Sequence, residues 1–223
     1  MELSVPVYSL KRLAKSLSRE KKIPLHAALN LVAQDEGFQS WGLLAARVSA
    51  ESPTDKLLST LAPGDLVLLG SRPGQGKTLM GLDLAIKSTR SGRSGWFFTL
   101  EWNTSDLLGY VRKLGESLST IGDDFKFDHS DEICATYIIE RLSTAKSGTV
   151  VVIDYLQILD QKREHPPIAI QVQSIKEFAR DRGLIFVFIS QIDRSFDKRV
   201  QPLPSLADVR LPNPLDLTQF DKA

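Results

Sequence analysis

The chain predicts an α/β domain, with a mostly parallel central sheet flanked by helices, preceded by a small all-α module. Three observations carry this expectation. From residue 61 onward, short apolar runs alternate with longer stretches of helical periodicity. A glycine-bearing loop separates the first such run from the helix that follows it. Residues 7–48, by contrast, hold apolar positions only at helical spacing. Strands that alternate with helices favour parallel pairing, because a parallel strand is reached only through a crossover long enough to form a helix.

Taken in order, Leu10, Leu13, Ala14 and Leu17 recur at helical spacing, followed by Leu25, Ala28, Leu29, Val32 and Ala33. Pro24 suits the first turn of a second helix and Gly37 its end, while Phe38, Trp41, Leu44 and Ala45 can face inward from a third. Residues 1–50 therefore read as a helical module. The polar, proline-containing stretch that follows reads as a linker over residues 51–60, leaving 61–223 as the α/β domain. Strands are expected at 66–69, 96–100, 150–153 and 184–189, with a shorter one at 125–127. Helices are expected at 79–87, 105–116, 132–145 and 168–182.

Composition narrows the class. The 223 residues, 42% hydrophobic and 25% charged, suffice for one ordinary α/β domain and a small appendage. A formal net charge of +1 supplies no global attraction to polyanions, so any nucleic-acid contact must come from local basic clusters. The single Cys134 cannot form an intrachain disulfide, and no Cys/His group has zinc-ligand spacing. His26, His129 and His165 stand apart from one another. No apolar run approaches membrane-spanning length and the N-terminus lacks the apolar core of a signal peptide, so a cytoplasmic protein is expected.

The strongest chemical signal is Ser71-Arg72-Pro73-Gly74-Gln75-Gly76-Lys77-Thr78, between the first strand-like run and a helix. Glycines there let successive backbone N–H groups turn toward phosphates, and the helix behind adds the positive end of its dipole. Lys77 is suited to bridging the β- and γ-phosphates of ATP, and the Thr78 hydroxyl to Mg²⁺. The leading glycine usual in such a loop is replaced by Ser71, with Gly70 one residue too early. Asp154 follows the apolar run 150–153, which places a carboxylate at the carboxyl edge of the sheet, within reach of the Mg²⁺ shell. Glu101 ends the run 96–100 in the same way and is suited to polarising the water that attacks the γ-phosphate. Gln191 follows 184–190, where an uncharged amide can sense the γ-phosphate by hydrogen bonding.

Together, the loop at 71–78, Phe97-Phe98-Thr99-Leu100-Glu101, Ile153-Asp154-Tyr155-Leu156-Gln157 and Ser190-Gln191-Ile192-Asp193-Arg194-Ser195 resemble the motor motifs of DnaB-type replicative helicases. The similarity runs over about residues 61–210. It implies a RecA-like P-loop NTPase fold, Mg²⁺ and ATP as ligands, assembly into a homo-oligomeric ring such as a hexamer or entry into a partner ATPase ring, and single-stranded DNA as partner. By position, the channel-facing loops would hold Lys162 and Arg163 in one, and Arg194, Lys198 and Arg199 in the other. The family's large N-terminal domain is replaced here by the helical module, and its last strands, which carry the arginine that reaches a neighbour's ATP site, are not matched before Ala223. Slow or partner-dependent hydrolysis follows as an expectation, with an ATP-dependent switch or accessory protein as the alternative. Lys11, Arg12, Lys15, Arg19, Lys21 and Lys22 cluster in the module and suit DNA, an acidic partner or simple solubility. A looser likeness of residues 10–41 to short helical modules of bacterial mobile-element and glyoxalase-related proteins implies no activity.

Overall fold

The computed structural model describes residues 3–5, 7–50, 52–113, 118–193, 196, 204–211 and 213–223. Backbone contacts divide the chain into two compact units, Met1–Leu57 and Leu58–Ala223.

The first unit holds helices α1 (Val7–Lys21), α2 (Leu25–Asp35) and α3 (Trp41–Ala50). Leu10 and Ala14 from α1, Ala28, Val32 and Ala33 from α2, and Leu44 from α3 form one small core, and Phe38 and Trp41 pack against it. Asn30 accepts a 2.9 Å hydrogen bond from the Trp41 backbone N–H, satisfying a donor at the start of α3. Residues 51–60, whose composition suggests a linker, largely form a further helix, α4 (Pro53–Thr60). Proline is favoured at the first helical position, Ser52 precedes it, and Asp55 sits in the first turn. The features that mark a loop are thus equally those of a helix start.

The second unit is a five-stranded, all-parallel sheet: β1 (Leu66–Ser71), β2 (Gly95–Thr99), β3 (Phe125–Asp128), β4 (Val150–Asp154) and β5 (Ile185–Gln191). Their spatial order is β1-β5-β4-β2-β3. Both faces are covered, which is why the strands read as unbroken apolar runs. Val151, Ile153, Phe186 and Phe188 join a core with Ile138 of α8 (Ala135–Arg141) and Val172 and Ile175 of α9 (Ile168–Arg182). The alternate residues Val152 and Ile189 face α5 (Lys77–Arg90), where they lie against Gly81. The short helices α6 (Thr104–Lys113) and α7 (Leu118–Ile121) connect β2 to β3.

The outer edge of β1 does not stand bare. The Asp221 N–H donates to the Leu66 carbonyl at 2.8 Å, and the Leu68 N–H to the Lys222 carbonyl at 2.9 Å. The Asp221 carboxylate also accepts from the Leu66 N–H at 2.9 Å, so the C-terminal residues satisfy groups that an edge strand otherwise exposes. Among the described residues, no helix is long and apolar enough to cross a membrane.

Candidate functional site

Parallel strands bring all their carboxyl ends to one edge, and the register fixes what meets there. Ser71, where β1 enters the glycine-bearing loop, is opposite Gln191 at the end of β5. Asp154 is opposite Ile189 on one side and Thr99 on the other. This is the edge at which ligands bind in open α/β sheets, and the candidate site lies at the carboxyl ends of the neighbouring strands β1, β5 and β4.

Within the loop, Gly74 has φ 77° and Gly76 φ 81°, left-handed values that side chains disfavour. A Cβ at either position would meet nothing within 4 Å. Glycine is therefore required by backbone conformation and not by crowding. Gly76 is also the N-cap of α5 and offers no side chain to its first N–H groups. Those donors have no side-chain cap, and Lys77 and Thr78 stand in the first turn behind them, an arrangement suited to receiving an anion.

Asp154 is fully buried. Neither carboxylate oxygen has a hydrogen-bond partner of good geometry. Burial pushes its pKa up to about 6; the neighbouring Thr78 hydroxyl and Lys77 ammonium pull it down, and the Glu101 carboxylate pushes it further up. The Thr78 hydroxyl is thus close enough to influence the group while falling short of a well-formed hydrogen bond. A buried carboxylate without a donor is costly, and a divalent cation is the kind of partner that removes the cost. A carboxylate and a threonine hydroxyl are hard oxygen donors of the kind Mg²⁺ prefers, so the residues present fit that ion.

Glu101 lies two residues beyond the end of β2, exposed, with its backbone N–H donating to the Thr99 hydroxyl at 3.0 Å. It lines a cleft of about 460 Å³ with Leu79 of α5, and with Trp102, Ser105, Asp106, Gly109 and Tyr110. Trp102 and Tyr110 meet edge to face, their centroids 5.8 Å apart. This aromatic pair was not marked by the strand-end reasoning that selects Glu101, although Trp102 is the next residue. Gln191 lines a second groove, of about 380 Å³, with Pro73, Ile192, Asp193 and Arg210. The Arg210 N–H donates to the Gln191 carbonyl at 2.8 Å, and the Arg210 carbonyl accepts from the Gln157 side chain at 2.7 Å. Arg210 sits in a proline-containing stretch without periodicity, so no sequence pattern singles it out.

The structure therefore gathers Lys77, Thr78, Asp154 and Glu101 into one electrostatic neighbourhood, with Gln191 at the adjacent strand end. The two expected basic loops fare differently. Lys162 is engaged in a 2.7 Å ion pair with Glu132, and Arg163 is exposed. Arg194, Lys198 and Arg199 lie outside the described residues.

A parallel sheet in this order, with a glycine turn leaving β1 and a buried carboxylate ending β4, is a RecA-like α/β fold. Residues 109–213, just under half of the chain, match the DnaB-like helicase C-terminal domain family. The replicative DNA helicase DnaB of Mycoplasma pneumoniae is 25% identical, the match covering 71% of this chain and 41% of that protein. That of Helicobacter pylori is 24% identical, covering 86% of this chain and 46% of that protein. The chain thus spans less than half the length of these curated relatives. A solved DnaB-like replicative helicase superposes with a TM-score of 0.58 at 18% identity, covering 92% of this chain and 62% of that one, which supports the fold.

Proposed function

We propose that this protein binds Mg²⁺-ATP at the carboxyl edge of its sheet and hydrolyses it in a ring-type assembly that acts on single-stranded DNA. The observation that carries the nucleotide reading is the orphaned Asp154 carboxylate beside Thr78, directly behind a loop with two left-handed glycines. The loop N–H groups and the start of α5 receive the phosphates, and Lys77 neutralises charge between the β- and γ-positions. Thr78 and Asp154 would hold Mg²⁺, which would supply charge neutralisation at the phosphate oxygens.

Glu101 accepts the proton of the attacking water as its oxygen bonds to the γ-phosphorus, while the bond to the β–γ bridging oxygen breaks and ADP leaves with the electron pair. Its exposure suits this role, since the carboxylate must meet a water on the side of the phosphate away from the loop. Gln191 donates its amide to a γ-phosphate oxygen and reports that group's loss through β5 to the residues that follow. A ring assembly and DNA coupling rest on the family resemblance. Arg163, exposed, and Lys162, once released from Glu132, are the described candidates for contacting DNA phosphates, with Arg194, Lys198 and Arg199 proposed for the second loop.

The test is ATP turnover with and without single-stranded DNA in the wild type, Lys77→Ala and Glu101→Gln. Lys77→Ala is expected to lose nucleotide binding, and Glu101→Gln to bind nucleotide while losing turnover by 10²-fold or more, on the order of a general base's contribution. DNA-stimulated turnover abolished by both substitutions supports the motor reading. ATP binding without DNA-dependent turnover replaces it with an ATP-dependent switch that captures a protein partner. Wild-type levels of turnover in Glu101→Gln remove Glu101 from the mechanism.

A further inference from the structure

We propose that the exposed face of α1 is a second nucleic-acid contact, separate from the motor loops: a row of cations that binds the phosphate backbone of DNA. Lys11, Arg12, Lys15 and Arg19 are all exposed. At about 100° per residue they fall within an arc of about 100°, and the row is about 12 Å long. Its centre lies about 130° round the helix from the buried Leu10–Ala14 side, so the cations point away from the unit's own core. Residues 7–22 carry six cationic side chains and one carboxylate, Glu20, against a formal net charge of +1 for the whole chain. Glu20 projects about 80° beyond the edge of the row. Among the described residues, no ion pair or side-chain hydrogen bond engages these four cations.

Solubility alone does not explain such a row, because a mixed surface of both signs serves it as well. Lys11 and Lys15, and Lys15 and Arg19, are like charges at i,i+4, and Arg12 and Lys15 at i,i+3, which weakens the helix. The helix dipole accounts for Arg19 and Lys21 in the last turn, but not for Lys11, Arg12 and Lys15. A polyanion relieves all of these repulsions at once. A membrane surface is the poorer match: among the described residues, Leu13, 54% exposed, is the large apolar side chain exposed on α1, and it lies about 150° from the row's centre, facing away from it. DNA phosphates, repeating about every 3.4 Å of axis along one strand, offer several sites over the length of the row.

The inference does not depend on ATP hydrolysis, so its failure and that of the proposed function are separable. The full chain carrying Lys11→Gln, Arg12→Gln, Lys15→Gln and Arg19→Gln together is compared with the wild type in fluorescence-anisotropy titrations. One arm uses an unspecific single-stranded oligonucleotide and the other a duplex, each over a range of salt concentrations without nucleotide. Since each phosphate contact contributes about 0.7 to the salt slope on single strands and about 0.9 on duplex, losing all four lowers the slope by about 3 or about 4. A fall of that size in either arm supports the site and tells which form of DNA it prefers. Relieving like-charge repulsion leaves the fold intact, so the variant should melt at or above the wild-type temperature and bind ATP normally. A second variant that exchanges each Lys for Arg and each Arg for Lys should retain the slope. Unchanged affinity and slope in both arms overturn the proposal, as does a loss of slope in the charge-preserving variant. Equal weakening of binding to anionic lipid vesicles and no change with DNA overturns it in favour of a membrane surface.

Discussion

Asp154→Asn separates what the site costs the fold from what it does for ligand binding. In the unfolded chain this carboxyl ionises at its ordinary 3.8, and in the fold at about 6. Above pH 6 both states are ionised and the fold bears the whole cost of the buried charge, about 3 kcal/mol at about 1.4 kcal/mol per pH unit. As pH falls from 6 toward 3.8 the folded carboxyl protonates first and the cost shrinks; below 3.8 it is gone. At about pH 5 roughly half remains, so the charge costs about 1.4 kcal/mol more near pH 8 than near pH 5. Asparagine removes this pH-dependent cost but adds an amide whose N–H groups lack partners, a penalty of about 1–3 kcal/mol that does not change with pH. The pH dependence of the stability difference therefore isolates the carboxylate. Relative to wild type, ligand-free Asp154→Asn should gain about 3–6 °C in melting temperature on going from about pH 5 to about pH 8. The assay is thermal unfolding at both pH values, repeated with Mg²⁺-ATP. There the wild type should rise, by about 2.7 kcal/mol at a hundredfold excess over the dissociation constant, and the variant should lose the Mg²⁺-dependent part. A stability difference that is the same at both pH values would show that Asp154 is not held as a destabilised charge, and an undiminished response to Mg²⁺ would remove it from the metal site.

Other perturbations test the frame and its surface. Gly95, the first residue of β2, packs so closely on α5 that a Cβ would lie 1.9 Å from the Ala85 carbonyl oxygen and 2.8 Å from Ser88 Oγ. Gly95→Ala should destabilise the protein by about 3 kcal/mol in urea titration, and a loss under about 0.5 kcal/mol would show that α5 moves freely on the sheet. Lys162 is paired with Glu132 across side chains that are 30% and 60% exposed. Glu132→Gln should leave the urea midpoint essentially unchanged. If Lys162 meets DNA, the same substitution should tighten single-strand binding about fivefold at low salt, and unchanged binding would place Lys162 outside the DNA path.

Most of the frame was legible because the sheet is buried on both faces. The runs at 66–69, 150–153 and 184–189 carry no polar residue, and each appears as a strand that runs one or two residues further to the polar group at its end, the last beginning at Ile185 and leaving Leu184 outside. Even the run at 125–127 is a true strand, held by pairing with β2, although its length alone gave little support. The helix expected at 132–145 is shorter, Ala135–Arg141, with Asp128 at the end of β3 accepting from the Tyr137 hydroxyl at 3.0 Å and Arg141 Nε at 3.1 Å. Those tertiary bonds fix the helix against the sheet edge, and no local pattern announces them. The same limit applies to the site. Lys77, Thr78, Asp154, Glu101 and Gln191 each adjoin a recognisable run or loop, whereas Arg210 reaches the Gln191 groove from a stretch with no period at all. Lys162 shows the converse: its charge was legible, and its partner, 30 residues earlier in the chain, was not.

The departure of the phosphate loop from its usual pattern has a structural explanation. Ser71 is the last residue of β1, paired in register with Gln191, and among the described residues Lys22 is the only non-glycine with a left-handed backbone. Ser71 thus occupies an ordinary extended conformation in which a Cβ costs nothing, and a leading glycine is not needed for the chain to leave the strand. The turn is made instead at Gly74 and Gly76, where left-handed φ values exclude most side chains. What the loop requires is therefore two glycines in the turn and a lysine and threonine opening the helix. A Ser71→Gly substitution would add conformational freedom to the unfolded chain and little to the proposed phosphate binding, whereas Gly76→Ala would strain the left-handed residue that opens α5, where the proposed phosphates would sit.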